Sequence, residues 1–284
     1  MRRKPETDRV VLVTGAATGI GAAIAEAAIT RGHRVLLTDI DADAVQETAR
    51  RLGTRAAAFR LDVRDAASWA KAFDTAEATF GPVDVLVNNA GIIHTGHARD
   101  LSLQQHRDIV EVNLLGTMTG IHTALPRMTA QGRGHLITIC SMTSFLALPG
   151  YATYGGTKHA IRAFHHAVAL EERHGPLHFT ILHPPSTRTK MLEQELADPT
   201  SVTAFSEKST SPEHVARIVV DAITTKPVEI VFPPLAGRVQ RIAGALPQII
   251  RWLIPTVEAA GKRKRQQLID SGKTHLFTVP GGPK

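Results

Sequence analysis

RVVLVTGAATGIG, residues 9–21, is the stretch that sets the architecture of the chain. Residues 9–13 form a β-branched and leucine run, the pattern of a strand buried on both faces. Glycines follow at Gly15, Gly19 and Gly21, and an alanine-rich helical pattern runs from about Ile20 to Arg31. Strand, glycine loop and helix start, in that order, make a phosphate cradle. Glycine lets the backbone turn tightly and approach a ligand. The unpaired N–H groups and dipole of a helix start favour a pyrophosphate.

Outward from this loop the chain alternates strand and helix. A second strand, Arg34 to Thr38, ends in Asp39, 18 positions beyond Gly21. That is near the spacing of a carboxylate that accepts hydrogen bonds from an adenosine ribose. The competing reading makes Asp39 a helix N-cap, because Asp41 and Asp43 also precede the helix expected over Ala42 to Leu52. No basic residue sits in the glycine loop, so NAD is expected over NADP. Further strands are expected at Ala56 to Leu61, Val83 to Val87, Gly134 to Cys140, Phe179 to Leu182 and Val228 to Phe232. Helices are expected at about Ala66 to Phe80, Ser102 to Met128, Tyr151 to His174 and Pro212 to Ile223. This alternation predicts an α/β fold: one doubly wound, parallel, seven-stranded sheet with helices on both faces. Ligands on such sheets lie at the carboxyl ends of the strands, where Gly15, Asp39, Asp62, Asn89 and Ser141 fall.

At that edge comes SMTSFLALPGYATYGGTK, residues 141–158. If the chain is helical from Tyr151, then Tyr154 and Lys158 lie one turn apart on one face. A hydroxyl, a phenol and an ammonium then converge. A nearby positive charge favours phenolate, so Tyr154 is a candidate proton-transfer group. Asn113, set among apolar helix neighbours, reads alone as a satisfied core amide.

Composition narrows the alternatives. The chain has 284 residues, 43% hydrophobic and 21% charged, ample for a full core. A single cysteine, Cys140, allows no intramolecular disulfide, and the 14 histidines show no ligand spacing, so no metal is expected. No apolar run has signal-peptide or membrane-spanning length, which reads as cytoplasmic. The net charge of +7 is concentrated towards the ends, and with aromatics at 5% few bases could be stacked; nucleic acid is not expected.

Taken together, TGAATGIG (14–21), Asp39, Asp62-Val63, NNAG (88–91), Asn113, Ser141 and YGGTK (154–158) resemble the short-chain dehydrogenase/reductase family over about residues 8–232. The resemblance implies a Rossmann-like domain over 1–233, with cofactor and substrate sites together, and an oxidoreductase of secondary alcohols and ketones. Under it, Tyr154 is the acid/base. Lys158 lowers the phenol pKa and holds the nicotinamide ribose. Ser141 holds the substrate oxygen. Asn113 becomes a helix-distorting residue whose backbone carbonyl carries a water towards Lys158. Gly15, Thr18, Gly19 and Ile20 would line the pyrophosphate, with Gly21 closing the loop. Asp62 and Val63 would touch adenine, Asn89, Ala90 and Gly91 would border the cofactor, and Thr187 and Thr189 would meet the nicotinamide amide. Pro184-Pro185 departs from the family's Pro-Gly, which is expected to displace the backbone there.

His94, Met142, Phe145, Tyr151 and Met191 are candidate pocket residues, joined by Ile93 and Leu148. Most are apolar, so a hydrophobic (steroid, retinoid or lipid-like) substrate is expected. Residues from about 190 to 210 are read as a lid. Residues 234–284 form a helical, basic extension, with Pro247 and Pro255 expected to interrupt its helix. It either packs on the core or a neighbouring subunit, or lies on an anionic membrane surface. A homo-oligomer, dimer or tetramer, is expected from the resemblance. The rival reading of the whole chain is a catalytically silent dinucleotide sensor or membrane-recruited scaffold.

Overall fold

The computed structural model describes residues 8–272. Seven parallel strands form one sheet: β1 (Val10–Thr14), β2 (Arg34–Asp39), β3 (Ala56–Arg60), β4 (Val85–Asn88), β5 (Gly134–Ile139), β6 (Leu177–His183) and β7 (Glu229–Val231). Their spatial order is β3-β2-β1-β4-β5-β6-β7. The order reverses between β1 and β4, so the loops leaving these strands diverge and open a crevice.

Side chains alternate along each strand and divide the core into two layers. Val11, Val13, Val35, Leu37, Val85 and Ile137 pack on one face against α1 (Gly19–Thr30) and α8 (Pro212–Thr225). Val10, Leu12, Leu36, Leu86 and Leu136 pack on the other against α3 (Ala66–Phe80), α5 (Gly116–Ala130) and α6 (Ala152–Glu171). Helix α2 (Ala42–Leu52) follows β2, and its N-cap is Asp41, which accepts from Ala44 N at 3.0 Å. The cap is therefore Asp41, and Asp39 is left to other work.

The helix expected over Ser102 to Met128 is not uniform. It comprises α4 (Leu103–Ile109), a π-helical turn (Val110–Leu115) and α5. Asn113 lies in the wide turn, wholly buried. Its amide accepts from Ile92 N at 2.8 Å and donates to Ile92 O at 2.9 Å. Clamping a neighbouring loop in this way draws the residue out of helical register, consistent with the extra residue of a π turn.

Beyond β6, α7 (Lys190–Ala197) and a 3₁₀ turn (Val202–Phe205) form the segment expected to act as a lid, held by Leu192, Leu196 and Phe205. The extension folds as α9 (Pro234–Gly244) and α10 (Pro247–Asp270). Pro255 lies inside α10 without ending it, contrary to the expected break; its missing N–H costs one helical bond. Arg241 of α9 pairs with Glu229 of β7, which Arg162 of α6 also holds at 3.0 Å. Burial alone would raise the Glu229 carboxyl. His183 and Arg162 outweigh it and hold it well below the usual carboxylate range. In α10, Arg265 donates to Leu196 O at 3.0 and 2.7 Å, and Leu268 packs on the lid cluster. The extension is thus strapped to the lid.

Candidate active site

The crevice at the strand-order reversal leads into a cavity of about 840 Å³. At one end are Gly15, Thr18, Gly19, Ile20, Asp39, Asn89, Ala90 and Gly91. Helix α1 begins here without a side-chain cap on its extended N-cap Thr18, and with no acidic residue in its first turn. Its first N–H groups are therefore free to meet an anion. Gly15 and Gly19 have φ of +63° and +60°, which L side chains rarely adopt. Gly21 lies beneath the loop, outside the cavity wall. A Cβ there would stand 2.1 Å from Gly15 O, so only glycine lets α1 approach the loop this closely. Asn89 fastens the β4 loop to it, donating to Thr14 O at 2.9 Å and Gly15 O at 3.1 Å. Asp39 accepts from Ala17 N at 3.1 Å and lines the cavity. A glycine cradle, an uncapped helix start and a carboxylate at the end of β2 together fit a dinucleotide.

Asp62 and Val63 do not line the cavity. The Asp62 carboxylate grips Arg64, with its shortest contact at 2.7 Å, and that bond holds it below its usual pKa. Val63 is buried, and its carbonyl accepts from Trp69 Nε1 at 3.0 Å. Both residues serve the β3–α3 connection.

At the cavity's centre, Ser141, Tyr154 and Lys158 share one wall. Ser141 Oγ accepts from Thr143 N at 3.1 Å and from Thr143 Oγ1 at 3.0 Å. With both lone pairs engaged, its remaining function is to donate. Lys158 Nζ lies 5.5 Å from the centroid of the Tyr154 ring and donates to Ile139 O at 3.3 Å. The expected lowering of the phenol pKa is not a property of the chain alone. Burial pushes the Tyr154 phenol up, the Glu195 charge adds to this, and a hydrogen bond from Ser141 pulls the other way without prevailing. Burial likewise lowers the Lys158 ammonium. Both groups are held nearer neutral, so a further positive charge is needed to bring the phenol towards physiological pH.

Asn113 lies outside the cavity wall, and its backbone carbonyl accepts from Thr117 Oγ1 at 2.7 Å. The expected role as an open water site is thus partly pre-empted. Thr187 and Thr189 line the cavity beside Pro184 and Pro185. Pro184 O accepts from Met142 N at 3.2 Å, and Pro185 O from Thr187 Oγ1 at 2.9 Å. The prolines' carbonyls thereby hold this turn against the serine loop.

Of the pocket candidates, Ile93, His94, Met142, Leu148, Tyr151 and Met191 line the cavity. Phe145 does not. Its ring faces His183 at 4.5 Å, and the Arg162 and Arg241 guanidinium groups lie over it, each 4.8 Å from its centroid. Two groups of wall residues lay beyond sequence reasoning. One is Glu195 on α7. The other is the apolar face of the extension, including Val239, Ala243, Ile250, Leu253, Ile254 and Val257. Their helical spacing was visible, but not the surface they would cover.

Comparison with known proteins agrees with this architecture. Residues 9–200 match the family described as short chain dehydrogenase. The 3-alpha-(or 20-beta)-hydroxysteroid dehydrogenase of Mycobacterium tuberculosis (strain CDC 1551 / Oshkosh) is 35% identical over 65% of this chain and 71% of its own. The 2,5-dichloro-2,5-cyclohexadiene-1,4-diol dehydrogenase LinX of Sphingobium indicum is 38% identical over 57% of this chain and 66% of its own. A short chain dehydrogenase/reductase from Burkholderia phymatum, solved in complex with NAD, superposes with a TM-score of 0.80. It is 24% identical, over 87% of this chain and 96% of that one. The chain belongs to the short chain dehydrogenase family. Its class of chemistry is dinucleotide-dependent oxidoreduction of alcohols and ketones.

Proposed function

We propose that this protein interconverts a hydrophobic secondary alcohol and its ketone using NAD(H), with Tyr154 as the proton-transfer group. The observation carrying this reading is the shared wall of Ser141, Tyr154 and Lys158, set between a dinucleotide cradle and a mostly apolar cavity. When bound, the dinucleotide supplies the hydride acceptor or donor and, oxidised, a positive ring beside the phenol. Ser141 donates to the substrate oxygen and steadies charge developing there. Tyr154 takes the hydroxyl proton in oxidation and returns it in reduction. Lys158 keeps its ammonium beneath the phenol ring and reaches the nicotinamide ribose. A panel of steroids, retinoids, lipid alcohols and sugar alcohols, with NAD and NADP, tests the reading; turnover confined to sugar alcohols contradicts the hydrophobic assignment. The hydroxysteroid and chlorinated diol substrates of the two relatives lie within the expected class. A catalytically silent sensor is the weaker reading, since the chemical residues line the cavity as a set.

Asp39 directs cofactor choice. Its charge opposes a 2′-phosphate, and Arg60 stands opposite it across the β2–β3 pair. Asp39→Ala is expected to narrow the ratio of kcat/KM with NAD to that with NADP by tenfold or more. An unchanged ratio contradicts the ribose role.

The extension carries a second, independent reading. Leu235, Val239 and Ile242 recur at helical spacing along α9 and are exposed, as is Leu246 in the joint before α10; Ile249, Trp252 and Leu253 continue the ridge on α10, with Trp252 82% exposed. Between residues 233 and 257 there are three arginines (238, 241 and 251) and no acidic residue. Val239 and Leu253 also line the cavity. An apolar, basic ridge that borders the cavity through Val239 and Leu253 suits an anionic lipid surface, with its tryptophan at the interface. We expect the protein to sediment with phosphatidylserine-containing vesicles more than with neutral ones. Trp252→Asp should reduce that binding by about tenfold, judged from typical interfacial contributions. Equal sedimentation of variant and wild type contradicts it. If Trp252→Asp instead converts a dimer to a monomer, the ridge binds a second copy. A dimer or tetramer through the α4–α5 and α6 faces, where Leu103, Leu115 and Leu170 are exposed, is a separate proposal checked by sedimentation velocity.

A further inference from the structure

Behind the wall shared by Ser141, Tyr154 and Lys158, a buried histidine is set against the serine loop. His183, the last residue of β6, is wholly buried and does not line the cavity. Its Nδ1 stands 2.7 Å from Ser144 Oγ and 3.1 Å from Ser141 O. Ser144 closes the 3₁₀ turn Met142–Ser144 that Ser141 caps, and its hydroxyl donates to Ser141 O at 2.7 Å. A hydroxyl has one proton. With that proton given to Ser141 O, Nδ1 must be the donor towards Ser144 Oγ. An unprotonated Nδ1 would also turn its lone pair on the Ser141 carbonyl. On the far side of the ring, Nε2 stands 3.0 Å from the Glu229 carboxylate of β7. The Nε2–H is not aimed squarely at that oxygen, so this contact is chiefly coulombic. Both ring nitrogens thus face acceptors, and a ring protonated on both is an imidazolium.

The neighbouring groups bear on that charge from each packed element. Cys140 of β5 gives its thiol proton to Lys158 O at 3.3 Å. From α6, Arg162 and His166 reach Glu229 at 3.0 and 3.4 Å, and Arg241 of α9 also pairs with it. These cations compete with the imidazolium for one carboxylate, so the arrangement at Nδ1 decides its charge. Burial opposes the charge on His183, but Cys140 and Glu229 outweigh it and raise the pKa. His135 and His165 are equally buried and have no ion pair among the described residues; burial pushes both down to about 3.

We propose that His183 is a buried imidazolium, braced by Glu229, that positions Ser141 by holding its carbonyl from behind, directly and through Ser144. This deepens the alcohol–ketone reading above and rests on it. Ser141 must aim its one proton at the substrate oxygen, and a displacement of about 1 Å at such a group can cost 10²-fold. Thr143 fixes its hydroxyl in front, and the two donors behind fix its backbone. When His183 loses its proton, the Ser144 hydroxyl is free to turn to Nδ1. Ser141 O then keeps only the Ser144 N–H of its own turn, at 3.0 Å. His183 is a positioning residue; the proton transfer remains with Tyr154.

The test is a double-mutant cycle. The wild type, His183→Leu, Ser141→Ala and the double variant are compared. Two quantities are read: kcat/KM for cyclohexanol with NAD, and cyclohexanol binding to the NADH complex followed by calorimetry. His183→Leu is expected to lower both by about tenfold, as for one hydrogen bond from a charged group, with NADH affinity held within about threefold. In the Ser141→Ala background the same substitution should change either by less than about twofold, because the group it positions is gone. An equal loss in both backgrounds makes His183 a general structural residue and overturns the proposal. Stability from about pH 6 to about pH 10 reads the charge. A folded-state pKa above the usual histidine value of 6.5 gives stability that is fully present below 6.5 and is lost as pH rises through the raised value. The advantage of the wild type over His183→Leu should therefore shrink as pH rises; a constant difference places a neutral ring there and overturns the imidazolium. Should His183→Leu fail to fold, Ser144→Ala takes its place in the cycle and Glu229→Gln in the pH series, where stability should fall at lower pH than in the wild type. If cyclohexanol is not turned over, but His183→Leu weakens its binding only where Ser141 is present, the positioning stands and the oxidoreductase reading falls.

Discussion

Tyr154→Phe is expected to lower kcat by about 10²–10⁴-fold, the usual contribution of a positioned general acid or base. Affinity for NADH should stay within about threefold, since the substitution removes one oxygen from a wall and nothing from the glycine cradle. The size of the loss follows from what surrounds the phenol. Both acceptor positions of Ser141 Oγ are occupied by Thr143, so the serine cannot take the substrate proton in place of the tyrosine. The Lys158 ammonium donates to Ile139 O and, while charged, has no lone pair with which to take a proton. Neither neighbour can substitute. Steady-state rates on any alcohol that the panel identifies, paired with NADH fluorescence titration, separate chemistry from binding. A kcat within threefold of wild type assigns the proton to another group.

Gly261→Val should unseat the lid. Gly261 sits where α10 crosses the 3₁₀ turn, and a Cβ there would stand 2.0 Å from Val202 O and 2.8 Å from its carbonyl carbon. Backbone atoms cannot swing aside, so the helix or the turn must move. Overpacking of this kind costs about 1–3 kcal/mol. The displacement also endangers the Arg265 bonds to Leu196 O, 3.0 and 2.7 Å long, each worth about 1.5–3 kcal/mol for a charged donor. Losing about 3 kcal/mol from the closed lid lowers the ratio of closed to open forms roughly 10²-fold. KM for a hydrophobic alcohol should rise by at least tenfold, while NADH affinity, set at the other end of the cavity, changes little. Arg265→Ala should move KM in the same direction by less. Unaltered KM in both variants would show that α10 does not hold the lid.

These effects differ in how far the sequence announced them. Strand–glycine–helix at residues 9–21 fixed the parallel sheet because alternating burial and glycine geometry are local properties. The order of Gly15, Asp39, Ser141, Tyr154 and Lys158 followed, since all lie at strand ends or on one helix face. Placement across elements was less legible. Asp62 was assigned to the cofactor, yet Arg64, two residues on, claims its carboxylate. Phe145 looked like a pocket residue by position, but its ring packs against two arginines, from α6 and α9. Asn113 was open to two readings, and the structure combines them: a satisfied amide that also distorts its helix. Glu195 was hidden for a physical reason. KMLEQELA is amphipathic with two carboxylates, Glu193 and Glu195, and periodicity alone does not mark an acidic residue as inward. Pro255 misled because a proline disfavours a helix interior, whereas the contacts of α10 with the lid outweigh its lost bond.

A crystal structure with NAD and a hydrophobic secondary alcohol bound tests the assignment of proton transfer to Tyr154 most directly. Tyr154 Oη is expected within about 2.6–3.2 Å of the carbinol oxygen, with Ser141 Oγ donating to that same oxygen and Lys158 Nζ at the nicotinamide ribose. A carbinol oxygen held by other side chains, with the Tyr154 hydroxyl turned from the reacting carbon, would contradict it.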